Sequence, residues 1–227
     1  MEYTAAARKA PEPSSDAFYA AATPDASVHY RIAEIDDTTD EMLDQFMGLH
    51  EHVLKNLPTG GKHWVKPRTR DNVRAHILNG HVCLGVFDKH DTMVGQVLLT
   101  LPDLPGGKNL KGYPIGYKHG LLRPDHCMVV QTLGVHKDHA GHGIRTLILD
   151  KAEEIARDRL RRHLLAKTDV LNKSSVRGFI RAGYLTSQET SVLGEAYKCV
   201  FMWRPLKDLH MRDLTQLKNL NFQSFTA

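Results

Sequence analysis

MVVQTLGVHKDHAGHGIRTLILDKAEEIARDRLRR, residues 128–162, is the stretch whose reading decides the fold. Its first eight residues are mostly apolar or β-branched and predict a strand. Gly141 and Gly143 predict a turn, and Ile144, Leu147, Ile148, Ala152, Ile155 and Leu160 recur at helical spacing as far as Arg162. Glu153 with Arg157, and Asp158 with Arg162, are expected as outward i,i+4 pairs. A helix that opens directly behind two glycines leaves its first N–H groups unpaired at the positive end of its dipole. Phosphate is the natural guest of such a turn.

Working outward, LLAKTDVL (164–171) predicts the next strand, and Asn172 with Ser174 starts the helix of SSVRGFIRAGY (174–184). Strand, helix and strand in this order make a right-handed parallel crossover. Upstream, HVCLGVFD and TMVGQVLLT, parted by Lys89, His90 and Asp91, predict a hairpin. Before them come a strand, VHYRIAEI, and a helix with Leu43, Phe46, Met47, Val53 and Leu54 on one face. Thr38 and Glu41 are its expected capping box, and Pro58, Gly60 and Gly61 end it. A second short helix runs from about Arg70 to Asn79 and Gly80. Two further strands, around Tyr184 and from Tyr197 to Trp203, close the domain at Pro205. The fold class is therefore mixed α/β of the α+β type: a mostly antiparallel sheet flanked by helices, with one parallel βαβ crossover.

A flexible arm is expected over 1–27, one domain over 28–205, and an amphipathic helix and tail over 206–227, carrying Leu206, Leu209, Leu214, Leu217 and Leu220. The Gly, Pro and Lys-rich segment 102–124, with Tyr113, Tyr117 and Arg123, is a candidate lid.

With 41% hydrophobic and 25% charged residues, the 227-residue chain has an ordinary globular composition. No apolar run reaches a membrane span, and the N-terminus has neither an h-region nor the acid-poor character of a transit peptide. No membrane association and a cytoplasmic location, with the nucleus as alternative, are the expectations. A net charge of +4 suits an anionic ligand but falls short of a nucleic-acid-binding face. Cys83, Cys127 and Cys199 lie in apolar runs and are expected as buried reduced thiols. His136, His139 and His142 straddle a strand end and a turn, a poor arrangement for a metal, so none is assigned.

Within the turn, GHGIRT lacks the GKS or GKT of a Walker loop, and Thr146 stands where a dinucleotide fingerprint wants a third glycine. VHKDHAGHGIRTLILDKAEEIA instead resembles the coenzyme A segment of the Gcn5-related N-acetyltransferase (GNAT) superfamily. DVLNKSSVRGFIRAGY resembles that family's next segment, with Asn172, Gly183 and Tyr184 at its marked positions.

The resemblance implies acetyl-CoA as co-substrate and N-acetyl transfer to a primary amine by direct attack in a ternary complex. It implies that Leu133, Gly134 and Val135 offer backbone to the pantetheine arm. The turn of Ala140, Gly141, His142, Gly143, Ile144, Arg145 and Thr146 would receive the pyrophosphate. Asn172, Ser175 and Phe179 would lie along the pantetheine or at its acetyl end. Ala140 replaces the family's usual Arg or Gln, Arg145 replaces a small residue, and Phe179 stands where a tyrosine commonly protonates the departing thiolate. For proton removal from the amine the candidates are Gln131, as the holder of a water, and Asp125 and His126. Gln131 reads equally as a buried amide, and the other two as loop polarity. His63, Trp64 and Lys66 fall in a connection that lines the acceptor side in the resembled family, with Trp64 either a substrate wall or core packing. The expected acceptor is a small-molecule amine. Protein lysine or N-terminal acetylation, and a coenzyme A-binding module with weak or no catalysis, are the alternatives. A homodimer is an open state of assembly.

Overall fold

The computed structural model describes residues 29–36, 38–107, 110, 122–187, 190–191 and 198–206. The expected arm, Tyr113 and Tyr117 of the candidate lid, Tyr197 and the leucines beyond Leu206 lie outside the described residues.

The chain runs β1 (Arg31–Glu34), α1 (Asp40–Lys55), α2 (Arg70–Leu78), β2 (Val82–Phe87), β3 (Met93–Thr100), β4 (Cys127–Val135), α3 (Ile144–Asp158), β5 (His163–Asp169), α4 (Lys173–Arg181), β6 (Leu185–Thr186), β7 (Thr190–Ser191) and β8 (Lys198–Pro205). The strands form one sheet in the order β1-β2-β3-β4-β5-β8-β6, with β7 also paired to β8. Only β4 and β5 are parallel. The mixed, mostly antiparallel sheet implied by the sequence is the one that forms.

Period-two alternation divides the core between two faces. Val82, Leu84 and Val86 of β2, with Met128 and Val130 of β4, face Ile144, Ile148, Leu149, Ala152 and Ile155 of α3. Cys83 and Phe87 face Leu43, Phe46 and Leu49 of α1 and Val73 of α2. Strands covered on both faces read as apolar runs, which is why β2 and β3 are buried throughout. All three cysteines are buried and outside any disulfide, as expected.

Gly95 sets how closely α3 approaches the sheet. A Cβ there would meet Ile144 Cγ2 at 2.6 Å and Val86 Cβ at 3.1 Å.

Two helix ends differ from expectation. The N-cap of α1 is Thr39, so the box of Thr38 and Glu41 is out of register by one residue, although Asp40 and Glu41 still sit favourably in the first turn. Helix α3 stops at Asp158 because Leu160 turns left-handed, at φ 56°. Leu160 N–H then bonds Arg157 O at 2.9 Å, and Arg161 N–H bonds Ala156 O at 2.7 Å, the pairing of a Schellman end. Leu160 is consequently 82% exposed instead of core, and Arg162 lies beyond the helix, so only the Glu153–Arg157 pair forms, at 2.6 Å.

Candidate active site

The parallel pairing of β4 with β5 stops at Val129 and Leu165. Beyond it the strands part, where four residues of β4, Gln131 to Gly134, lie opposite three of β3, Gln96 to Leu98. Thr132 takes the strain of this bulge at φ 52°. Parted strands leave backbone groups without a ladder partner, a standing template for an extended ligand.

The cavity in this fork, about 130 Å³, is lined by Gln131, Thr132 and Leu133 of β4, Lys167 and Asp169 of β5, Asn172, Ser175 and Phe179 around α4, Cys199 of β8, and His63, Trp64, Lys66 and Arg68 of the α1–α2 connection. Leu133, Asn172, Ser175, Phe179 and Gln131 are thus brought together. Asn172 caps α4, its side chain accepting from Ser175 N–H at 3.1 Å.

The glycine turn follows the end of β4 and precedes α3, and none of its residues lines the cavity. Gly141 and Gly143 adopt φ 87° and 78°, and a Cβ on either would be strained by conformation though no atom crowds it. Successive N–H groups in such a turn, followed by the start of α3, form an anion-binding concavity. His142 between the glycines carries a buried Nδ1 without a hydrogen-bond partner. Beside the turn, His136 stacks on His52 with ring centroids 3.7 Å apart, and His139 Nδ1 meets the Tyr30 hydroxyl at 2.9 Å. Among the described residues no three His, Cys, Asp or Glu side chains are grouped to hold a metal ion.

Arg145 reaches from the first turn of α3 to Ser174 O at the start of α4. Gly178 makes this path possible, since a Cβ there would meet Arg145 Cδ at 2.6 Å. Burial holds the Arg145 guanidinium below its ordinary pKa.

The proton-transfer candidates are placed very differently. Asp125 and His126 sit in the short turn that starts β4, and neither lines the cavity. Asp125 is tied to Arg123, Nε at 3.1 Å and Nη2 at 2.8 Å, which holds its carboxyl below the usual range. Six steps along β4 separate Cys127, the residue after them, from Leu133, about 20 Å of strand, so they stand apart from the residues that line the cavity. Gln131 is at the cavity, with its amide committed: Oε1 accepts from Arg68 Nη2 at 3.0 Å and Nε2 donates to Thr100 Oγ1 at 2.6 Å. Arg68 Nε also donates to Thr132 Oγ1 at 3.3 Å, bracing the bulge. Tyr184 is buried against Phe179, ring centroids 4.9 Å apart, and its hydroxyl has no partner. Burial raises its pKa, and it does not line the cavity.

Two features were not legible beforehand. Arg68 sits in a loop with no motif. The pairing of His63 Nε2 with Asp169 Oδ2 joins residues remote in sequence. The place of His63 in the connection between the first two helices was the one available signal.

The sequence matches the profile of the Acetyltransferase (GNAT) family over residues 62–184. No curated protein matches it as a relative. Among solved structures, an acetyltransferase of the GNAT family from Streptococcus pneumoniae is 12% identical with a TM-score of 0.57, covering 79% of this chain and 100% of its own. A Salmonella typhimurium protein solved with its cofactor acetyl-CoA is 15% identical with a TM-score of 0.55, covering 82% and 97%. An N-acetyltransferase from Staphylococcus aureus Mu50 is 14% identical with a TM-score of 0.54, covering 79% and 99%. At such identities the likeness is one of fold.

Proposed function

The chain belongs to the acetyltransferase (GNAT) family, whose members use acetyl-CoA, and from that premise we propose that it moves acetyl to a primary amine of a small molecule by direct attack in a ternary complex. The observation that carries this is the fork between β4 and β5, with a glycine turn and helix start following the end of β4. The pantetheine arm pairs with the backbone of Leu133 to Val135, the pyrophosphate rests on the N–H groups from Ala140 to Thr146, and Asn172 and Ser175 line the opposite wall. The thioester carbonyl then lies beside the bulge, where a backbone N–H near Leu133 stabilises the developing oxyanion.

The chemistry is assigned to a domain of about 28–205, and no described helix is long and apolar enough to cross a membrane.

Arg145 across Gly178, with Phe179 in place of the common tyrosine, favours a second reading: a coenzyme A-binding module without turnover. Thiol release from acetyl-CoA with a panel of small amines, amino acids and lysine or N-terminal peptides separates the two. Amine-dependent release is expected; binding of acetyl-CoA with no release for any amine contradicts the transferase reading.

A further inference from the structure

We propose that Arg68 is a positioning residue for acetyl transfer: its guanidinium holds the bulge of β4 in the conformation that presents the backbone N–H near Leu133 to the reacting carbonyl. This rests on the acetyl-transfer reading and assigns the bulge a support from outside the sheet.

Thr132 is the point that needs support. A left-handed φ of 52° is unfavourable for any residue with a Cβ, and most of all for a β-branched one. Such a conformation persists only where its surroundings over-determine it. Arg68 supplies two of the constraints: Nε donates to Thr132 Oγ1 at 3.3 Å and Nη2 to Gln131 Oε1 at 3.0 Å. Successive side chains on a regular strand point to opposite faces, yet one planar guanidinium holds this pair. The grip therefore fits the bulged backbone and not a straight one. Gln131 Nε2 extends the link to Thr100 Oγ1 of β3 at 2.6 Å.

A brace works only when its own base is fixed. Arg68 N–H donates to His50 Nε2 at 3.1 Å, and His50 is buried in α1. The next residue, Thr69, caps α2, its side chain accepting from Asn72 N–H at 3.2 Å. The backbone of Arg68 is thus tied to α1 and to the start of α2. Burial holds the guanidinium below its ordinary pKa, and among the described residues no carboxylate pairs with it. Desolvating a cation without a counter-charge opposes folding, which sets Arg68 apart from a residue kept for stability.

Arg68 lines the cavity together with Gln131, Thr132 and Leu133. The peptide between Thr132 and Leu133 turns with the Thr132 backbone, so releasing Thr132 re-aims the Leu133 N–H. A donor stabilises an oxyanion only when it is aimed where the charge develops.

The test is steady-state kinetics of Arg68→Ala, Arg68→Lys, Thr132→Gly and the double variant Arg68→Ala with Thr132→Gly, with acetyl-CoA affinity from calorimetry and urea midpoints alongside. Arg68→Ala is expected to lower kcat about 10²-fold, as a small misplacement of the reacting geometry does. Acetyl-CoA affinity should stay near wild type, and added ethylguanidinium should restore part of the rate. Arg68→Lys keeps the stem and the charge but not the planar pair of donors. It should lose kcat in the same selective way, which decides the matter if Arg68→Ala does not fold. On the Thr132→Gly background the loss from Arg68→Ala should shrink, because glycine takes the left-handed turn unaided. Wild-type kcat in either Arg68 variant, a loss confined to acetyl-CoA affinity, or single losses that simply multiply in the double variant would overturn the assignment. A wild type that turns over no amine would instead remove the acetyl-transfer reading, and the assignment with it.

Discussion

Of the three positions at which the sequence differs from the motifs it resembles, Ala140, Arg145 and Phe179, the last two have a structural counterpart. The bulk of Arg145 is accommodated because Gly178 gives it a channel across α4. Phe179 is accommodated because the leaving group needs little help: a thiol of pKa near 8.5 departs as the thiolate. Phe179→Tyr is therefore expected to raise kcat by up to about 100-fold if the new hydroxyl reaches the sulfur, or to leave it unchanged, with acetyl-CoA affinity preserved. Loss of acetyl-CoA binding in a calorimetric titration would show that residue 179 does not border the sulfur. The Phe179 substitution was legible because the helix from Asn172 to Gly183 keeps its spacing. The channel at Gly178 was not, since it depends on a side chain arriving from α3.

At the scale of elements, the site is made by the disagreement between β4 and its two neighbours. The bulge at Thr132 keeps β4 registered with β3 while releasing it from β5. Apolar periodicity locates strands but says nothing of where a pair of strands separates, so the strands could be read from sequence and the cleft could not. Gly95 holds α3, and with it the glycine turn, against the sheet. Gly95→Ala is expected to destabilise the fold by about 1–3 kcal/mol through overpacking against Ile144, read as a lower urea midpoint, and to weaken acetyl-CoA binding as the turn is displaced. The end of α3 carries the opposite opportunity. Leu160, exposed and left-handed, gains nothing from its side chain, so Leu160→Gly should stabilise by up to about 1 kcal/mol in the same assay. A drop in stability would mean that the Schellman end is not formed in solution. The helical period alone ran through this position, because pattern reads side chains and the stop is a backbone event.

Over the whole molecule, the packing of α1 and α2 on the sheet depends on neutral histidines. Burial, then the nearby His81, pushes His76 down to about 4. Burial also lowers His50, aided by Arg68, and His81. His81 uses both ring nitrogens, Nε2 toward Pro105 O at 3.0 Å and Nδ1 toward Leu101 N–H at 3.2 Å, an arrangement that only the neutral ring allows. Since these pKa values are depressed in the folded state, the unfolded chain takes up protons first as pH falls. Stability should be full above about pH 6.5 and decline toward about pH 4, by at most about 1.4 kcal/mol per pH unit for each histidine. Urea unfolding across that range checks it, and His76→Gln should flatten the decline; a midpoint constant down to about pH 4.5 would contradict it. Taken whole, the domain is a sheet opened at one seam, with a glycine turn after the end of β4 and a cavity in the seam that His63 lines. The measurement that bears most directly on this account is a single turnover: protein loaded with acetyl-CoA is mixed with an amine, and N-acetyl product and free thiol are followed together. Both should appear in step and in equal amount; a protein that retains acetyl-CoA and yields neither, whatever the amine, would contradict it.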